Sequence, residues 1–110
     1  MVTPDRPTYD LATIKRLVAN NAWTMTDTAA RDMTAMQLNT DDVRACIQML
    51  DDRPLNQGGH FHKTMPSDKV PGTFQDVYYV TYCAQPLYVK LNRGRKGALV
   101  ISFKPDERHE

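Results

Sequence analysis

The sequence has few cysteines, no long apolar run and no metal-ligand spacing. Cys46 and Cys83 are the only cysteines in 110 residues, and they stand far apart. That excludes a disulfide framework and a cysteine zinc motif, and implies two reduced thiols. No apolar stretch approaches the ~18 residues of a membrane span, so no membrane partner is expected. The opening Met1-Val2-Thr3-Pro4-Asp5 has neither a basic start nor an apolar stretch. A signal peptide is therefore not expected, and the reading is a cytoplasmic protein. His60 and His62 have the spacing of some metal ligands, but no third or fourth ligand follows at a supporting distance. No nucleophile elbow, phosphate-binding glycine loop or calcium loop is present. The expectation is neither metal nor cofactor.

What is present is an ordinary globular mixture, 41% apolar and 25% charged. That is one domain over residues 1–110, long enough for a modest core, with 1–8 and 105–110 expected to fray. Net charge is only +1, but it is unevenly spread. Up to Leu55 eight acids face six bases; between His60 and Lys104 seven bases face two acids. A basic second half suits a local anion site, or serves only as a solvated face.

Hydrophobic periodicity divides the chain. Leu11, Ile14, Leu17 and Val18 mark one face of a first helix, capped by Asp10 or Thr8 and ended at Asn20-Asn21. A second helix starts at Thr26 or Asp27. A third, capped by Thr40, buries Val43, Ile47 and Leu50. Met33, Met36 and Met49 read as core filler, and Trp23 as an aromatic lid between the first two helices. Beyond the Asn56-Gln57-Gly58-Gly59 loop the period becomes two. Strands are expected over His60–Met65, Thr73–Tyr82, Leu87–Asn92 and Ala98–Lys104. The fold class is α+β: N-terminal helices packed on one face of a twisted antiparallel sheet.

The last two strands fix a register. Pairing Leu91 with Leu99 and Val89 with Ile101 gathers the apolar side chains on the core face. It leaves a short loop Gly94-Arg95-Lys96, with Gly97 supplying a positive φ. Tyr88 then faces Ser102, and Lys104 is its diagonal neighbour. A phenol and an ammonium converge on the side the helices leave bare, with Arg93, Arg95 and Lys96 at the far end of the hairpin. The solvated side of any half-buried sheet shows the same alternation.

His62, Lys63, Gln75, Tyr88, Lys104 and the Arg93–Lys96 loop form a donor-rich, carboxylate-poor set, suited to a phosphate that gains negative charge. Asp76, the only acid in the strand core, is read as an anchor for a neighbouring base. RNA carries its own nucleophile in the 2′-hydroxyl, so alignment, proton transfer and charge stabilisation suffice without metal. The alternative, from another class, is a non-catalytic module that holds RNA or an acidic protein on the same basic face. Tyr78, Tyr79 and Tyr82 are available to stack bases under either reading.

Four blocks of the second half resemble the MqsR toxin family in order and spacing. They are Phe61-His62-Lys63-Thr64-Met65, Phe74-Gln75-Asp76-Val77-Tyr78, Leu87-Tyr88-Val89-Lys90-Leu91 and Leu99-Val100-Ile101-Ser102-Phe103-Lys104. Ile14-Lys15-Arg16-Leu17-Val18 resembles that family's opening helix. The resemblance implies a RelE-like fold and the toxin of a type II toxin–antitoxin system. It implies a metal- and ribosome-independent mRNA endonuclease and a cognate antitoxin, with DNA contacted only through that antitoxin. It assigns catalytic roles to Lys63, Gln75, Tyr88 and Lys104; His62, Arg93, Arg95 and Lys96 are the expected RNA-binding residues. His62 stands where the family often has tyrosine. The Pro66–Gly72 loop and the Arg93–Lys96 hairpin also depart from the family pattern, so cleavage-site preference does not carry over. Strict alternation puts Lys63 on the side of Phe61 and Met65, which requires either an irregular strand or a Lys63 away from the site.

Overall fold

Among the described residues each α-helix begins at a side-chain cap. The computed structural model describes residues 6–68 and 70–107. Helix α1 (Leu11–Ala19) starts where the Asp10 carboxylate accepts the Thr13 N–H. Helix α2 (Asp27–Ala35) starts where the Thr26 hydroxyl accepts the Ala29 N–H. Helix α3 (Thr40–Gln48) is capped by Asn39 rather than by Thr40: Asn39 and Asp42 satisfy each other's backbone N–H in a capping box. An asparagine followed by an acid three residues later outcompetes threonine at that end because both orphan donors are satisfied together.

The strands are β1 (Trp23–Met25), β2 (Phe61–Pro66), β3 (Phe74–Tyr82), β4 (Gln85–Gly94) and β5 (Gly97–Pro105), with a short 3₁₀ turn at Leu55–Gln57. They form one sheet in the order β1-β5-β4-β3-β2. Helices lie on one side of it, as the periodicity implied. The sheet is mixed, however: β1 runs parallel to β5, pairing Trp23 with Ala98 and Met25 with Val100. Trp23 is thus an edge-strand residue packed against the core, not a lid between helices. Three residues are too few to show a period, and a parallel partner 75 positions away leaves no local signal. Gly97 makes this edge possible. Its φ is +136°, and a Cβ there would lie 2.0 Å from the Ala22 carbonyl oxygen.

The core gathers Leu11, Ile14 and Val18 of α1 with Val43, Cys46 and Ile47 of α3. From the sheet it takes Tyr78, Val80, Leu87, Val89, Leu91, Ala98, Val100 and Phe103. Met33 and Met36 pack against it, but Met49 is 44% exposed and is not core filler. The described ends are tied down: Thr8 donates its N–H to Asp76, and Asp106 donates its own to the Pro86 carbonyl. Among the described residues no helix is long and apolar enough to cross a membrane.

Two bulges set which side chains face which way. Between β4 and β5 the partners are Tyr88 with Lys104, Val89 with Phe103, Lys90 with Ser102 and Leu91 with Val100. Ile101 is the extra residue, so the expected pairs Leu91–Leu99 and Val89–Ile101 do not form. Ala98 and Val100 enter the helix-side cluster in place of Leu99 and Ile101, although Ile101 stays buried, and Gly94 pairs with Gly97 around a two-residue Arg95-Lys96 turn. In β2, Phe61 pairs with Tyr78 and Lys63 with Val77, so His62 is the extra residue. A bulge puts two residues opposite one and resets the alternation.

Candidate active site

Side chains alternating with the core set face away from the helices: Gln75, Val77 and Tyr79 of β3, Tyr88 and Lys90 of β4, Ser102 and Lys104 of β5. The His62 bulge adds Lys63, because Phe61 can stay buried in the core while Lys63 aligns with Val77. Two cross-strand rows result. One runs Tyr79–Tyr88–Lys104; the other runs Lys63–Val77–Lys90–Ser102.

The first row is joined by ring contacts. The His62 and Tyr79 ring centroids are 5.0 Å apart, and those of Tyr79 and Tyr88 are 5.4 Å apart, edge to face. Lys104 Nζ lies 5.1 Å and Lys90 Nζ 5.7 Å from the Tyr88 ring centroid. Both ammonium groups therefore lie within cation–π range of one phenol. Burial, then the neighbouring Tyr79, pushes the Tyr88 phenol above its ordinary value, so it keeps its proton at neutral pH. Burial, then Lys104 and Lys63, holds the Lys90 ammonium below its ordinary value, opposed only by Asp68. Desolvation and like charges both disfavour the protonated amine.

Gln75 lies two residues before Val77 on the same side, opposite Met65. It is 3% exposed, and its buried Oε1 has no hydrogen-bond partner among the described residues. An acceptor left unpaired in this way suits a donor from a bound molecule.

The expected residues separate into groups. Tyr88, Lys104, Lys63, Gln75 and His62 share the face turned away from the helices, with Gln75 buried within it. The hairpin bases do not join them. Arg93 lies five residues beyond Tyr88 along β4, about 17 Å at the rise of an extended strand. Alternation puts it on the side of Leu91, and Arg95 and Lys96 lie further out. Of the three tyrosines read as stacking platforms, Tyr79 alone is on this face. Tyr78 is buried in the core against Phe61, and burial raises its phenol strongly. Tyr82 donates to Asp42 of α3 at 2.8 Å. His60 accepts the Asp51 N–H at its Nδ1, a structural bond that closes the loop before β2. Asp76 anchors backbone rather than a base: it is 1% exposed and accepts the Thr8 and Tyr9 N–H groups at 2.8 and 2.9 Å. Lys90 is the site residue that the reading of motifs passed over. The period-two alternation already placed Lys90 beside Tyr88, and that was the available signal. Among the described residues no three His, Cys, Asp or Glu side chains gather at one point.

Residues 6–105, which include every helix and strand among the described residues, match a family of toxins from toxin–antitoxin pairs. That family is described as "Motility quorum-sensing regulator, toxin of MqsA", and the chain belongs to it. No curated protein matches the chain.

Proposed function

We propose that this toxin is an endoribonuclease that cuts single-stranded mRNA by attack of the 2′-hydroxyl on the adjacent phosphate, without metal or ribosome. The observation that carries the reading is the pairing of Tyr88 with Lys104 on the side of the sheet that the helices leave bare. Lys63 and Lys90 lie in the neighbouring row, and Asp68 is the one acid acting on Lys90. A site rich in fixed cations and donors stabilises a phosphorane as its charge grows. Lys104 and Lys63 take that charge. Tyr88, which keeps its proton, donates a hydrogen bond to a phosphate oxygen and orients the scissile bond. Gln75 holds the phosphate through its amide N–H, and its unpaired Oε1 accepts from a donor group of the bound nucleotide. His62 and Tyr79 contact the bases beside it. Arg93, Arg95 and Lys96 hold phosphates several nucleotides away.

The products are a 2′,3′-cyclic phosphate and a 5′-hydroxyl. A cognate antitoxin neutralises the protein in the cytoplasm, and contact with DNA runs through that antitoxin. The test is incubation of the pure protein with RNA in EDTA. Fragments ending in cyclic phosphate are the expected result. RNA that is retarded on a gel yet intact assigns the face to a non-catalytic binding module instead.

A further inference from the structure

Resting on that nuclease reading, we propose that Lys90 is the general base that accepts the proton of the attacking 2′-hydroxyl. Three features of its placement carry this. It occupies β4, the central strand of the five, in the middle of the row Lys63–Val77–Lys90–Ser102. Its amine is 5.7 Å from the Tyr88 ring, over the same phenol that Lys104 approaches. It is also a diagonal neighbour of Gln75, since Val77 is its direct partner and Gln75 lies two residues away on the same side. Diagonal positions on a sheet are ~7–8 Å apart, within reach of two long side chains. A nucleotide held by Gln75 is therefore seated with its 2′-hydroxyl within reach of Lys90, whose amine accepts the hydroxyl's one proton.

The surroundings favour a neutral amine. Burial of the stem and the charges of Lys104 from β5 and Lys63 from β2 all disfavour the ammonium. Tyr88 on its own strand, its phenol pushed up by burial, stays neutral beside it, and the Tyr79 ring faces it from β3. Asp68, from the loop between β2 and β3, is the one group that opposes the trend. In the step itself the 2′-oxygen forms a bond to phosphorus as its proton passes to the Lys90 amine. The bond from phosphorus to the 5′-oxygen breaks, and the Lys104 ammonium donates a proton to that oxygen. The cyclic phosphate and the 5′-hydroxyl leave, and solvent returns each lysine to its starting state. No other reactant is required.

The experiment compares cleavage of a single-stranded transcript against pH for the wild-type protein and Lys90→Arg. Binding is measured in parallel on the same RNA made with 2′-fluoro nucleotides, which lacks the nucleophile. Arginine keeps the positive charge but does not give up its proton. The wild-type rate is expected to rise with pH. Lys90→Arg is expected to bind within about threefold, to cleave about 10²-fold or more slowly and to lose the rise, the usual size of a general-base contribution. A second variant guards against misfolding. Lys90→Cys in a Cys83→Ser background, alkylated with bromoethylamine, restores a less basic amine, while buried Cys46, its thiol pushed up to about 12, resists the reagent. Cleavage is expected to return, with the rise moved to lower pH. Lys90→Arg cleaving within about fivefold of wild type with an unchanged pH profile, or an alkylated variant whose rise does not move, overturns the assignment. A wild-type protein that leaves the transcript intact overturns the nuclease reading itself.

Discussion

Lys104 stands directly across the β4–β5 ladder from Tyr88, its Nζ 5.1 Å from the phenol ring centroid. The Ile101 bulge makes them direct partners where simple alternation makes them diagonal ones. Both Tyr88→Phe and Lys104→Ala are expected to lower RNA cleavage by about 10²-fold or more and to relieve growth arrest. Tyr88→Phe keeps the ring beneath both ammonium groups and removes only the hydroxyl, so its circular dichroism and melting temperature should match wild type. If both variants cleave RNA and arrest growth as wild type does, the catalytic assignment falls.

Asp76 holds the segment leading into α1 through two backbone hydrogen bonds from within a buried site. Asp76→Ala strands the Thr8 and Tyr9 N–H groups and should cost about 2–3 kcal/mol, the usual loss for a bond to a buried charged acceptor. Urea denaturation with an unchanged slope and a lower midpoint is the expected result. A midpoint within experimental error of wild type contradicts it.

The turn between β3 and β4 carries Cys83 at φ +51° and Ala84 at φ +67°. Two-residue hairpin turns of this kind favour Asn-Gly because left-handed backbone strains other residues. Ala84→Gly should therefore stabilise the protein by about 1 kcal/mol, raising its melting temperature by several degrees. A lower melting temperature would show that the turn stores no such strain.

Asp51 is held down to about 2, first by hydrogen bonds from the Arg53 side chain and backbone. A carboxyl whose folded value lies below its unfolded value of 3.8 adds stability above that pH and loses it as pH falls through the folded value. Asp51→Ala should melt below wild type at pH 6, and the gap should close between about pH 4 and pH 2. Thermal melts over that range check the sign; a gap that widens in acid refutes it.

Cys46 lies in the core and burial pushes its thiol up to about 12, whereas Cys83 is exposed on its turn. The native protein should titrate as one thiol with Ellman's reagent, and as two in guanidinium. Two fast-reacting thiols in the native state would mean that the helix–sheet core opens readily.

Much of this arrangement is local and was open to sequence reading. Capping residues and the 3.6-residue period place α1, α2 and α3 within a residue or so, because both act inside one helical turn. The period of two along β4 puts Tyr88 and Lys90 opposite Leu87, Val89 and Leu91 whatever β4 pairs with. The family blocks named Lys63, Gln75, Tyr88 and Lys104, but nothing in a single strand says whether they meet.

Tertiary structure decided the meeting, through features with no local signature. The His62 bulge turns Lys63 to the open face, against the strict alternation of its own strand. The Ile101 bulge swaps Ala98 and Val100 into the core and brings Lys104 level with Tyr88. Parallel pairing with β5 makes Trp23 an edge strand. In each case the ladder absorbs an extra residue or recruits a distant partner so that the helix side stays apolar, and burial across the whole sheet outweighs the pattern of any one segment.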